Sequence, residues 1–195
     1  MWLGSERNRL WRAVGIQDNS GRIFFSAFFH GSHFLYWSND SAATYTATAL
    51  PFTGLNECSI SFGAEPSGDS ELFMFCRTGQ HHRAIVRWDL TNGTQPMPGP
   101  VTYPNGLIDP DCQGSIIRSG DALYISNPNS TTSRSNMTVK RSIDNGQSWN
   151  HGTLIWAGPS GYSQLVELSH SKIGLIFESG VRKSHEAIHF VEIDI

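Results

Sequence analysis

The sequence predicts an all-β protein built from repeated antiparallel sheets, and three observations carry that prediction. No segment keeps the apolar period of a helix. The apolar residues come in short runs, such as Leu72-Phe73-Met74-Phe75-Cys76 and Ala122-Leu123-Tyr124-Ile125, bounded by turn formers as strands are. Nineteen glycines and a charged fraction of 16% fit a turn-rich chain. The third observation is a turn that occurs twice. Ser142-Ile143-Asp144-Asn145-Gly146-Gln147-Ser148-Trp149 has the pattern S-x-D-x-G-x-x-W, and Ser38-Asn39-Asp40-Ser41-Ala42-Ala43-Thr44-Tyr45 repeats its spacing with Ala42 for glycine and Tyr45 for tryptophan. The Ser and Asp of such a turn can bond its amides, Gly146 supplies a positive φ, and Trp149 covers the bend. Short strands at regular spacing suit a sandwich, a barrel or a propeller. Recurrence of one turn favours the propeller.

Taken in order, residues 1–14 are an ill-defined start with Arg7, Arg9 and Arg12 and no period. Arg22 to Phe29 and Phe34 to Trp37 form a hairpin around His30-Gly31-Ser32-His33, because aromatic runs flank a glycine-containing turn. Glu57 to Ser61 and Glu71 to Cys76 are strands separated by the loop Gly63 to Ser70, and Ala84 to Trp88 is another. Asn92 to Gly106, rich in Pro and Gly, reads as a long surface loop. Ser115 to Ile117 and Ala122 to Ile125 form a hairpin around Ser119-Gly120-Asp121. Met137 to Val139 and Thr153 to Trp156 flank the second turn, and Gln164 to Glu167, Ile173 to Phe177 and Ala187 to Ile193 complete the chain.

The composition excludes several classes of function. A net charge of −3 gives no electrostatic case for nucleic acid. No apolar run approaches the ~20 residues of a membrane helix, and the start has no apolar h-region, so it is not expected to be a signal peptide. Three cysteines, Cys58, Cys76 and Cys112, allow one pair with a free thiol or three reduced thiols. Four Asn-x-Ser/Thr sequons, beginning at Asn39, Asn92, Asn129 and Asn136, lean toward a lumenal or secreted setting. His81-His82 has no further ligands at metal-site spacing and is read as surface.

Five polar residues interrupt the β pattern at strand ends: Glu57, Arg77, Arg134, Tyr162 and Glu178. Two arginines can hold a carboxylate, because guanidinium matches it bidentately and stays charged. A Tyr beside a Glu can lose its proton and attack carbon. A lone Arg in a β protein is ordinarily a solvated group or a rim ion pair, and Glu71, Arg83, Arg87, Arg118, Arg141 and Arg182 are read that way. Cys58 and Cys76, beside Glu57 and Arg77, are read as buried thiols.

The octet at Ser142 resembles the Asp box of sialidases. The resemblance extends through Asn127-Pro128, Arg134-Ser135-Asn136, Gly158-Pro159-Ser160-Gly161-Tyr162-Ser163 and Ile176-Phe177-Glu178-Ser179-Gly180. It covers 15–195 and corresponds to about the second half of a sialidase, whose fold is a six-bladed β-propeller. It implies the last three to four blades of such a propeller. The activity it implies is exo-α-sialidase with retention, releasing terminal sialic acid from glycoproteins, gangliosides and oligosaccharides. By resemblance Tyr162 is the nucleophile and Glu57 its base, Arg77 and Arg134 grip the sialic acid carboxylate, and Glu178 orients the first arginine of that triad. Ser142, Asp144, Gly146 and Trp149 are structural. No metal and no organic cofactor is implied, and the partners are sialylated glycoconjugates. The motif details look most like animal lysosomal-type sialidases, with bacterial ones close behind. That implies a lysosomal or membrane-associated lumenal location in an animal and secretion in a bacterium. The first triad arginine, the acid/base aspartate and the first blades have no counterpart in this sequence, so the chain is expected to be inactive alone. The alternative is a propeller that binds sialic acid or a protein partner without turnover.

Overall fold

The computed structural model describes residues 15–29, 31–64, 68–93 and 95–195. The ill-defined start with Arg7, Arg9 and Arg12, His30 of the first hairpin turn, the centre of the loop after Gly63, and Thr94 of the second sequon lie outside the described residues. Strands β1 (Gly15–Gln17), β2 (Ile23–Phe29), β3 (Ser32–Ser38) and β4 (Thr46–Thr53) form a first antiparallel sheet in that order. The second sheet is β5 (Asn56–Phe62), β6 (Glu71–Arg77), β7 (Ala84–Asp89) and β8 (Met97–Thr102), again in chain order. The third holds β9 (Ser115–Ser119), β10 (Ala122–Pro128), β11 (Ser135–Ser142), β12 (Thr153–Ser169), β13 (Lys172–Ser179) and β14 (Ala187–Asp194). Its strand β12 is 17 residues long. The first half pairs with β11 and the second with β13, and register shifts on both sides curl the sheet into two leaves. The separate segments expected at Thr153 and Gln164 are therefore one bent strand.

The cores lie between successive leaves. Phe24, Leu35 and Leu50 of the first sheet pack on Ile60, Met74 and Trp88 of the second. Phe73, Phe75 and Ile85 pack on Ile116, Leu123 and Ile125 of the third. Tyr124, Met137, Leu165, Leu175 and Phe177 fill the space between its two leaves. Strand β6 shows why the runs in the sequence are unbroken: Leu72 and Met74 face one core and Phe73 and Phe75 the other, so both faces must be apolar. The leaves fan around an inner edge formed by β5, β9 and the second half of β12, which pack on one another in turn.

The two repeated turns make the same bonds. Ser142 Oγ donates to Asp144 Oδ1 at 2.7 Å, the Gly146 amide donates to Ser142 Oγ at 2.8 Å, and the Ser148 amide donates to Asp144 Oδ1 at 2.8 Å. In the first turn the corresponding distances, for Ser38, Asp40, Ala42 and Thr44, are 2.7, 3.0 and 2.9 Å. Ala42 takes a φ of +68° where Gly146 has +77°. Trp149 packs on the second core, whereas Tyr45 rests edge-on against Phe25 and stays exposed.

Two further sequence expectations need correction, and the alternative left open for the cysteines is settled. The Pro- and Gly-rich loop Asn92 to Gly106 contains strand β8; it sits on the sheet's edge and has a register shift against β7, two settings in which a strand accommodates prolines such as Pro98 and Pro100. Arg83, read as a surface group, is fully buried: it stacks 4.2 Å from the Phe75 ring centre and pairs with Asp109 at 2.7 Å. Of the two states left open for the cysteines, the structure has one pair with a free thiol: Cys58 and Cys76, read as buried thiols in preference to catalytic ones, are directly opposed on β5 and β6 and form a disulfide, leaving Cys112 as a buried free thiol.

Candidate active site

Glu57 is set by a bulge. The β5–β6 register runs Asn56 opposite Arg77, then Cys58 opposite Cys76, with Glu57 as the extra residue. It takes a φ of +33°, rare for a residue with a Cβ, and Asn56 Oδ1 accepts its amide at 2.8 Å. Such a bulge re-aims a side chain. Its carboxylate is 4% exposed and accepts from Arg77 Nη1 at 2.9 Å. The other oxygen accepts from the Tyr162 hydroxyl at 2.5 Å. A buried carboxylate requires such partners, since an isolated one is strongly destabilising.

Tyr162 is placed by the bend of β12, in the register shift between the Ser160–Ser179 and Ser163–Phe177 pairs. Its amide donates to Glu178 Oε2 at 3.0 Å. A Cβ on Gly161 would collide with that same oxygen, so the glycine is needed for the approach. Glu178 thus holds the Tyr162 backbone. Gln113, buried in the loop before β9, accepts the next amide, Ser163, at 2.9 Å. Burial first, then the hydrogen bond and charge of Glu57, push the Tyr162 phenol up to about 12, while Arg134 acts the other way.

Arg134 lies 5.6 Å from the Tyr162 ring centre. Its backbone carbonyl accepts the Ser160 amide at 2.8 Å, which fastens β11 to β12 beside Tyr162. Its Nη2 donates to the backbone carbonyl of Asp111 at 3.1 Å, and Asp111 Oδ1 accepts from Arg77 Nε at 2.6 Å. The structure therefore gathers Glu57, Arg77, Arg134, Tyr162 and Glu178 at one end of the inner strands. Ser142, Asp144, Gly146 and Trp149 form a turn at the far end of β11 from Arg134. Asp111 and Gln113 were not singled out in the sequence. Asp109-Pro110-Asp111 has the composition of a turn, but nothing local shows that it meets Arg77.

A family model described as a BNR repeat-like domain matches residues 8–175. The chain belongs to that family. Its relatives are sialidases. It is 39% identical over 92 residues to a sialidase of Micromonospora viridifaciens, a match covering 42% of this chain and 14% of that protein. It is 34% identical over 125 residues to an exo-alpha-sialidase of Arthroderma benhamiae, covering 55% of this chain and 29% of the other. The NanB sialidase of Streptococcus pneumoniae superposes with a TM-score of 0.78 at 21% identity, over 93% of this chain and 30% of that one. This BNR-family chain thus has the fold of part of a sialidase β-propeller, and its matches span less than a third of those relatives.

Proposed function

We propose that this chain carries the nucleophile and base of a retaining exo-α-sialidase acting on terminal sialic acid of glycoproteins, gangliosides and oligosaccharides. The observation that supports the reading most is the 2.5 Å hydrogen bond from the Tyr162 hydroxyl to Glu57, between residues 105 apart in sequence. Sialic acid bears a carboxylate on its reacting carbon, which repels an anionic nucleophile. Tyr162 is neutral at rest, with its phenol held near 12. As the Tyr162 oxygen bonds to that carbon, its proton passes to Glu57 Oε1 and the glycosidic C–O bond breaks. Arg134 above the ring lowers the energy of the developing phenolate, and with Arg77 it holds the carboxylate. Water then bonds to the same carbon and gives up a proton to solvent, the bond from that carbon to the Tyr162 oxygen breaks, and Glu57 returns its proton to the departing phenolate.

The leaving oxygen needs a proton of its own. The described carboxylates at the pair are already engaged: Glu57 with Arg77 and Tyr162, Asp111 with Arg77, Glu178 with the Tyr162 amide. The chain alone is therefore proposed to be inactive on natural sialosides, where a missing general acid lowers the rate by about 10²–10⁴-fold. The Cys58–Cys76 disulfide supports an oxidising compartment, lysosomal or membrane-associated and lumenal in an animal, or extracellular in a bacterium. An aryl sialoside with an acidic phenol as leaving group tests the chemistry. The wild-type chain is expected to cleave it at least about 100-fold faster than Tyr162→Phe or Glu57→Gln. Equal rates for all three would refute the assignment.

A further inference from the structure

We propose that Asp111 is a built-in competitor for the substrate carboxylate: its own carboxylate occupies one edge of Arg77, and its backbone carbonyl holds Arg134. This rests on the reading of Arg77 and Arg134 as anion-binding side chains. Arg77 bridges two protein carboxylates, Glu57 at 2.9 Å and Asp111 at 2.6 Å. The two differ in kind. Glu57 is 4% exposed and locked by the bulge, whereas the Asp111 side chain is 40% exposed. It lines a cleft of about 360 Å³ with Phe28, Asn56, Arg77 and Thr78.

The backbone that presents Asp111 is bonded on both sides. Asp111 has a φ of +63°, a conformation that Asp and Asn tolerate better than other L residues. Asp109 Oδ1 accepts the Cys112 amide at 2.8 Å, its Oδ2 pairs with buried Arg83 at 2.7 Å, and Arg83 also donates to the Cys112 carbonyl. The Asp109 amide donates to the His81 carbonyl at 3.0 Å. The turn thus anchors the carbonyl that Arg134 uses, while the Asp111 side chain is the partly exposed element of the pair. An anion approaching Arg77 meets a like charge that it must displace or sit beside. A partly exposed ion pair is weak enough to be displaced, so Asp111 sets the affinity of the site without closing it.

Asp111→Asn and Asp111→Gly test this. Both keep the backbone carbonyl and tolerate the positive φ, and both remove the charge. The Arg77 Nε–H resonance, which points at Asp111, is followed by NMR while acetate, then N-acetylneuraminic acid, is added at constant ionic strength. Both variants are expected to bind acetate about fivefold tighter than the wild type. The difference is expected to vanish near 1 M salt, where the Debye length is about 3 Å. Unchanged or weaker acetate binding in both variants, or no response in any of the proteins, overturns the proposal. If acetate binding tightens while N-acetylneuraminic acid binds to none of them, Asp111 keeps this role and the sialic acid reading falls.

Discussion

Glu57 occupies a backbone conformation that a Cβ disfavours, and it does so to place one carboxylate between Arg77 and Tyr162. Strain of this kind collects where geometry matters for function. Because the Glu57 charge helps to hold the Tyr162 phenol near 12, Glu57→Gln is expected to lower that value in a near-UV difference titration. Burial keeps it above the ordinary tyrosine range. Replacing Arg134 by Met is expected to raise it, since the guanidinium favours the phenolate. The raised value also has a stability consequence. The folded chain holds this proton more tightly than the unfolded chain, so the contribution is complete below the ordinary tyrosine range and is lost as pH rises through about 12. Denaturant midpoints measured across that window are expected to fall less steeply in Tyr162→Phe than in the wild type.

At the scale of elements, the two turns show which contacts a sequence reveals. Ser to Asp and Asp to the amide four residues on are local bonds, so the spacing alone predicts them, and the turn with Ala42 closes like the one with Gly146. The left-handed φ of Ala42 leaves strain that glycine would relieve. Ala42→Gly is expected to stabilise the chain by about 0.5–1 kcal/mol in urea denaturation, the small net of relieved strain and the larger unfolded-state entropy of glycine. Gly146→Ala should do the reverse by about 2–3 kcal/mol, because its Cβ would lie 2.9 Å from the Phe73 ring as well as at φ +77°. Hydrogen bonds from Thr44 and Ser148 hold Asp40 and Asp144 down to about 2. Their stabilising contribution is present above the ordinary aspartate range and is lost as pH falls through about 2. The Cys58–Cys76 disulfide, by contrast, depends on strand register, which three cysteines in a sequence do not specify. It closes an 18-residue separation, and a Cys58→Ser, Cys76→Ser double variant is expected to lose about 3 kcal/mol in the same assay.

For the whole molecule, the all-β class, most strands and the five polar residues that the fold gathers at one end of the inner strands were legible because apolar runs, turn chemistry and ordered motifs are written along the chain. What joins distant segments was not. Arg83 looks like any strand arginine until Asp109 is brought under it, and Asp111 meets Arg77 only when the second and third sheets pack. Strand β8 was hidden because prolines argue against a central strand and only the assembled sheet shows that β8 is an edge. The arc of leaves also leaves one apolar face uncovered, with Val166, Ile176, Ile188 and Phe190 exposed together on β12, β13 and β14. A patch of this kind drives association. Sedimentation velocity is expected to show self-association of the chain at high concentration and its loss in an Ile188→Thr, Phe190→Thr double variant. Unchanged association in that variant would place the sticky surface elsewhere.

The account stands on Tyr162 being the nucleophile that Glu57 unlocks, and covalent trapping tests this most directly. A 3-fluorosialosyl fluoride carries a leaving group that departs without protonation, so its reaction with Tyr162 does not depend on a general acid. Incubation of the folded chain with excess reagent, followed by intact-mass and peptide mass spectrometry, is predicted to place one sialosyl adduct on Tyr162. The adduct should be absent from Tyr162→Phe and slow to form in Glu57→Gln. Labelling of another residue, or equal labelling of wild type and Tyr162→Phe, would contradict the account.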